Sequence, residues 1–170
     1  MNLFLIGYRG TGKSTIGREV ARILGKEFVD LDEVIVKNTG KKIPDLFASE
    51  GEEAFRKYET EALEQFAGKE AIVACGGGII VKERNIQILK KEGTVCLLKV
   101  DARTSFERIY KDNNRPALTD KDPFEEIKFM LAKRHDAYEK AKDFEVDCNN
   151  KDVSQCAAEV ITKAKSFKKS

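Results

Sequence analysis

The run GYRGTGKS, residues 7–14, sets a lysine and a hydroxyl residue behind a glycine-rich turn with the spacing G-x-x-x-x-G-K-S. Glycines at such positions let the backbone curl until consecutive N–H groups point inward at phosphate oxygens. A helix starting near Lys13 adds the positive end of its dipole. The pattern implies nucleoside triphosphate binding through Gly10, Thr11, Gly12, Lys13, Ser14 and Thr15. Lys13 is expected to reach the β- and γ-phosphates, and the Ser14 hydroxyl to ligate Mg²⁺.

Two further clusters carry chemistry. FVDLDEVI, residues 28–35, ends an apolar run in two carboxylates, Asp30 and Asp32. Standing alone, D-x-D is most simply a strand-to-helix turn. ACGGGII places Gly76, Gly77 and Gly78 straight after a buried-looking strand, where one or two glycines are enough for a turn and three imply a close approach to the backbone. Arg134 shares a helical stripe with Ile127, Leu131 and Tyr138, so an inward guanidinium needs an anionic partner, from the protein or from a ligand. The single histidine, His135, is turned away from that stripe, and no serine–histidine or cysteine–histidine pair is indicated.

The elements that must position these residues follow from periodicity. NLFLI (2–6), EFV (27–29), AIVAC (71–75), TVCLLKV (94–100) and FEV (144–146) read as strands alternating with helices. This predicts an α/β fold of three layers around a parallel five-stranded sheet. In such sheets ligands collect at the carboxyl ends of the strands, which brings the phosphate loop, the aspartates and the glycine run to one crevice. The helix after the loop is expected to turn Ile16, Val20, Ile23 and Leu24 inward and to stop at Gly25. Between Leu31 and Ala67 an insertion, broken at Gly40, Pro44 and Gly51, is placed to cover a substrate. The polar stretch DNNRPALTDKD, 112–122, has the character of a lid.

A chain of 170 residues with 41% hydrophobic composition is expected to form one domain. Its 31 Lys and Arg against 29 Asp and Glu leave a charge of +2, which speaks against a nucleic-acid or membrane-surface partner. Cys75, Cys96, Cys148 and Cys156 form no C-x-x-C pair and read as free buried thiols of a reducing, cytoplasmic protein. No apolar run reaches the roughly 20 residues of a membrane span, and the first residues lack a signal-peptide pattern.

Taken in order, GYRGTGKST, FVDLD, TGKKIPDLFASEGEEAFRKYE, CGGG, NRPAL and KRHDAYEKA resemble the shikimate kinase family over residues 3–150. The resemblance implies a nucleoside-monophosphate-kinase-like fold, ATP and Mg²⁺ as cofactors, and transfer of the γ-phosphoryl group to the 3-hydroxyl of shikimate, a step toward chorismate and the aromatic amino acids. It implies that Asp32 holds substrate hydroxyls and assists their deprotonation, and that Asp30 lies nearer the metal. Arg56 and Arg134 then take the acid's carboxylate beside Gly76, Gly77 and Gly78. Arg115 in the lid stabilises the transferring group, and Arg108 and Lys151 lie near adenine. Where the family lid reads R-P-L and an apolar residue, this chain has Arg115-Pro116-Ala117-Leu118. From the residues alone, Arg56 is equally readable as a solvated neighbour of the face formed by Phe55, Tyr58, Ala62 and Phe66. Other readings are a kinase of another hydroxy acid such as gluconate, a nucleotide kinase, or a nucleotide-dependent switch. The acidic insertion suits a nucleotide acceptor poorly, and NNKDV (149–153) does not supply the N-K-x-D run of guanine readout. The protein is expected to act as a monomer on a small molecule.

Overall fold

A computed structural model describes residues 1–110 and 122–167. Arg115 and the expected lid, apart from Asp122, lie outside the described residues. Five strands, β1 (Asn2–Ile6), β2 (Glu27–Asp30), β3 (Ala71–Ala74), β4 (Gly93–Lys99) and β5 (Phe144–Asp147), form one sheet in the order β2-β3-β1-β4-β5. Every pairing is parallel, with Leu3 opposite Ile72 and Thr94 across the central strand. The fold class read from the sequence is the one observed, and each strand boundary falls within one residue of its expected position.

Both faces of the sheet are covered, so the strands bury successive residues on alternate sides. Phe4, Ile6, Val73, Val95 and Leu97 face one core with Leu31, Leu46, Phe55, Leu63, Leu89 and Tyr138. Those partners come from α2 (Leu31–Thr39), α3 (Ile43–Glu64), α4 (Glu83–Glu92) and α6 (Pro123–Ala141). Leu3, Leu5, Ile72, Cys96 and Leu98 face the other core, closed by Ile16, Val20, Cys156, Ala157 and Val160. Those side chains belong to α1 (Lys13–Leu24) and α7 (Val153–Ser166). A smaller cluster joins Tyr8 to Ile127 and Met130 of α6, with Phe106 and Ile109 of α5 (Ala102–Tyr110) packed against it.

Two local readings change. In α1 the buried face is Ile16, Gly17, Val20 and Ala21, while Ile23 is 48% exposed. The helix is rolled toward Gly17 because the Phe28 ring occupies the space a side chain would fill: a Cβ at Gly17 would lie 2.6 Å from Phe28 Cε2. In the insertion Pro44 stands in the first turn of α3, where its missing N–H costs nothing, and starts the helix instead of interrupting it. Gly51, at φ 80° and ψ 174°, does break α3 into two segments. All four cysteines are free and buried, and burial pushes the Cys75 and Cys96 thiols well up. Among the described residues no helix is long and apolar enough to cross a membrane.

Candidate active site

The carboxyl ends of β1, β2 and β3 lie side by side at one edge of the parallel sheet, so the segments that follow them meet. After β1 the chain enters the glycine loop. Gly7 has φ +150°, and a Cβ there would stand 2.5 Å from the Leu98 carbonyl oxygen. Gly10 and Gly12, at φ +78° and +87°, take up the left-handed turn. The Thr11 hydroxyl is used within the loop, donating to the Tyr8 carbonyl at 2.9 Å. Lys13 is buried, and its ammonium donates to the carbonyls of Gly7 (2.7 Å) and Tyr8 (2.9 Å), which aims the charge across the loop.

At the end of β2, Asp30 does two things. One carboxylate oxygen accepts the Asp32 backbone N–H at 2.9 Å and caps α2, while the other accepts the Ser14 hydroxyl at 2.5 Å. The strand ends in two carboxylates because the first caps the start of α2 and faces the phosphate loop, while the second lies in the first turn of that helix. Gly10, Gly12, Lys13, Ser14, Thr15, Asp30, Asp32, Gly76, Gly77 and Arg108 line a single cleft of about 220 Å³. A neighbouring cleft of about 280 Å³ is bounded by Gly12, Thr15, Arg108, Cys148 and Lys151. Arg108 Nη1 donates to the Gly10 carbonyl at 3.0 Å, and Lys151 pairs with Glu159 at 2.6 Å.

After β3, the three glycines permit a tight approach of charged side chains. A Cβ at Gly76 would lie 2.8 Å from Glu59 Oε1 and 3.1 Å from Asp32 Oδ1. One at Gly78 would fall 2.2 Å from Arg56 Nη1, and one at Gly77 would be 3.6 Å from Arg134 Nη1. Arg56 is therefore inward, 5% exposed, pairing with Glu59 at 2.7 Å and Glu52 at 3.0 Å. The solvated alternative for it is excluded. Arg134 is equally buried, stacks toward the Tyr8 ring at 5.8 Å, and has no ion-pair partner among the described residues. Its Nε, the Arg56 Nε and Glu59 Oε1 are buried without hydrogen-bond partners among the described residues. Such groups, costly when unmade, converge where an anionic, hydroxyl-bearing ligand satisfies them.

Burial raises the Glu59 carboxyl to about 6 against the lowering effect of Arg56, and Asp32 adds to the rise. For Arg56, burial opposes the charge, but Glu59 and Glu52 outweigh it and hold the guanidinium protonated. Tyr138, raised to about 12 chiefly by burial, donates to the Gly77 carbonyl at 2.5 Å and braces the glycine run. The sequence did not single out Glu59, and it offered Tyr138 only as a member of the inward stripe that carries Arg134. The signal for Glu59 was present, since Glu52, Arg56 and Glu59 fall at i, i+4 and i+7 of one helix. His135 is exposed, as its position opposite the buried stripe requires.

A phosphate loop on the central strand of a 2-3-1-4-5 parallel sheet, a carboxylate pair after the second strand and buried arginines over an inserted helical hairpin define a kinase of the nucleoside-monophosphate-kinase-like fold. The comparisons narrow this: the chain belongs to the shikimate kinase family, whose model matches residues 9–165. It is 40% identical over 161 residues to the shikimate kinase of Thermodesulfovibrio yellowstonii, covering 94% of this chain and 92% of that one. Shikimate kinase from Acinetobacter baumannii in complex with shikimate superposes with a TM-score of 0.92 at 34% identity, covering 97% of this chain and 93% of that one. Shikimate kinase from Aquifex aeolicus gives 0.83 at 30% identity, over 98% and 97%. The chain is an ATP-dependent small-molecule kinase, and these relatives do not favour the gluconate or switch readings.

Proposed function

We propose that the protein transfers the γ-phosphoryl group of ATP to the 3-hydroxyl of shikimate. The observation that carries this is the buried Arg134, without an ion-pair partner among the described residues, beside a second buried arginine and the Asp32 carboxylate. Two guanidiniums suit a carboxylate, and a carboxylate suits hydroxyls, so the pocket is polarised in the sense a hydroxy acid needs. Gluconate shares that chemistry but lacks the ring that shikimate presents, and the family does not point to it.

The loop amides and Lys13 hold the triphosphate, Thr15, Arg108 and Lys151 border the nucleoside end, and Asp32 orients the acceptor hydroxyl in line. Proton removal by Asp32 adds little if the transition state is loose, so its main contribution is alignment. Ser14 and Asp30, hard oxygen donors already converged at 2.5 Å, fit Mg²⁺, which takes few protein ligands and keeps phosphate and water oxygens. Ser14 and Asp30 would hold the ion, and the chemistry it would supply there is neutralisation of phosphate charge. Arg115 belongs to the same reading as the residue that adds positive charge to the transferring group. So do the one-domain organisation with its insertion (31–67) and lid (112–122), and a monomer working in the cytoplasm without nucleic-acid or membrane partners.

ADP release measured with shikimate, with gluconate and with no acceptor tests this, with Asp32→Asn alongside. Shikimate-dependent turnover that collapses in Asp32→Asn is expected. Turnover with gluconate alone, or equal turnover without acceptor, would overturn the assignment.

A further inference from the structure

The phosphate-loop pattern leaves its third residue free, and here that residue is an arginine, Arg9. It does not point to solvent. Arg9 Nη2 lies 3.0 Å from Glu126 Oε2, across 117 residues of sequence, with the two side chains 11% and 7% exposed. The same nitrogen donates to the Tyr8 hydroxyl at 3.3 Å, and the guanidinium lies 5.6 Å from the Tyr8 ring centroid. Arg134 reaches that ring from its own side at 5.8 Å. Glu126 stands in the first turn of α6, and Arg134 follows two turns later on the same buried face as Ile127, Met130 and Tyr138. Meanwhile the Tyr8 carbonyl accepts the Lys13 ammonium. One continuous set of contacts therefore runs from the lysine of the phosphate loop, through Tyr8 and Arg9, to the helix that carries Arg134.

A buried ion pair is a poor way to gain stability, because desolvation of both charges offsets their attraction, and an apolar pair of similar volume holds two elements together at least as well. What an ion pair adds is direction: a fork and a carboxylate meet in few geometries. We propose that the Arg9–Glu126 pair is a positioning element for phosphoryl transfer, locking α6 to the phosphate loop so that Arg134 and the nucleotide's phosphates keep one separation. This rests on the reading of Arg134 as the carboxylate-binding residue. In-line transfer tolerates little error in that separation, and a displacement of about 1 Å costs on the order of a hundredfold in rate.

The test is kinetic, on the full chain, with shikimate and ATP as substrates and thermal unfolding followed on the same samples. Arg9→Met and Glu126→Gln are each expected to lower kcat at least tenfold while both KM values stay within threefold, because each half-site remains whole. Arg9→Lys is expected to recover part of the loss. The deciding variant is the double Arg9→Met/Glu126→Leu, which removes both charges of the pair together. It is expected to regain the wild-type unfolding temperature without regaining kcat. A kcat that returns with the unfolding temperature would make the pair merely structural and sink the proposal. So would single variants within twofold of wild type, or a change confined to one KM. If the wild type itself fails to turn over shikimate, the assignment of the acceptor fails instead, and the two failures are told apart by that control.

Discussion

Gly78→Ala isolates the close approach between the glycine run and Arg56. The Gly78 backbone, at φ −97° and ψ 10°, is open to alanine, so no backbone strain arises. The new methyl carbon would lie 2.2 Å from Arg56 Nη1 and 2.5 Å from Nη2 and Cζ. Non-bonded heavy atoms settle at roughly 3.5 Å or more, so the guanidinium must withdraw by more than about 1 Å. A side-chain end can do this where backbone cannot, and the fold should survive. The 2.7 Å contact with Glu59 should not. The same displacement removes the guanidinium from the acid it is proposed to hold; a charge-assisted hydrogen bond to that acid contributes about 1.5–3 kcal/mol, so its loss corresponds to roughly a 10- to 150-fold weaker grip. Measured by coupled ADP release, KM for shikimate is expected to rise by about that factor, with KM for ATP within twofold of wild type. If KM for shikimate stays within twofold in a folded Gly78→Ala protein, Arg56 does not hold the carboxylate from where it stands.

Other outcomes follow from the same geometry. Glu59 titrates near 6 in the folded protein against an ordinary 4.5, so between those values the native state binds more protons than the unfolded chain. Its contribution to stability therefore falls as pH rises through that window, by about 2 kcal/mol in total. In urea titrations from pH 4.5 to 7, wild type should lose about that much relative to Glu59→Gln; parallel pH profiles would show that Glu59 is not buried as described. Asp30→Asn keeps the α2 cap, since asparagine caps as well as aspartate, but removes the charge facing Ser14. The Mg²⁺ concentration for half-maximal rate should rise roughly 10- to 100-fold with shikimate KM unchanged, and an unaltered Mg²⁺ dependence would remove Asp30 from the metal site. Gly17→Ala drives a methyl to 2.6 Å from the Phe28 ring, and overpacking of about 1–3 kcal/mol should exceed the helix-propensity gain of about 1 kcal/mol. A net loss in the denaturant midpoint is expected, and a more stable variant would refute the packing argument.

Much of the site was legible because its parts are local. The phosphate loop needs only glycines, a lysine and a serine within eight residues, flanked by a strand and a helix. The inward face of α6 was readable because helical periodicity is a property of one segment, and Arg134 stood in an apolar row. Arg56 was ambiguous for the same reason: beside Phe55 and Tyr58, a segment cannot say whether it is covered. The Gly78 backbone, 22 residues on, covers it. The roll of α1 was illegible because it depends on Phe28, which arrives from another element.

The sequence by itself determined the alternation of strands and helices, the phosphate loop, and the placing of two aspartates after the second strand. All of these are set by short-range spacing and backbone preference. Only the tertiary structure decided the strand order, which of many carboxylates Arg56 would meet, that Arg134 would meet none among the described residues, and that Arg9 would reach Glu126. Charge partners are chosen by what the fold brings within about 3 Å, and burial decides how much each choice weighs. Residues 9 and 126, 117 positions apart, carry no sequence signal of one another until the sheet and α6 bring them together.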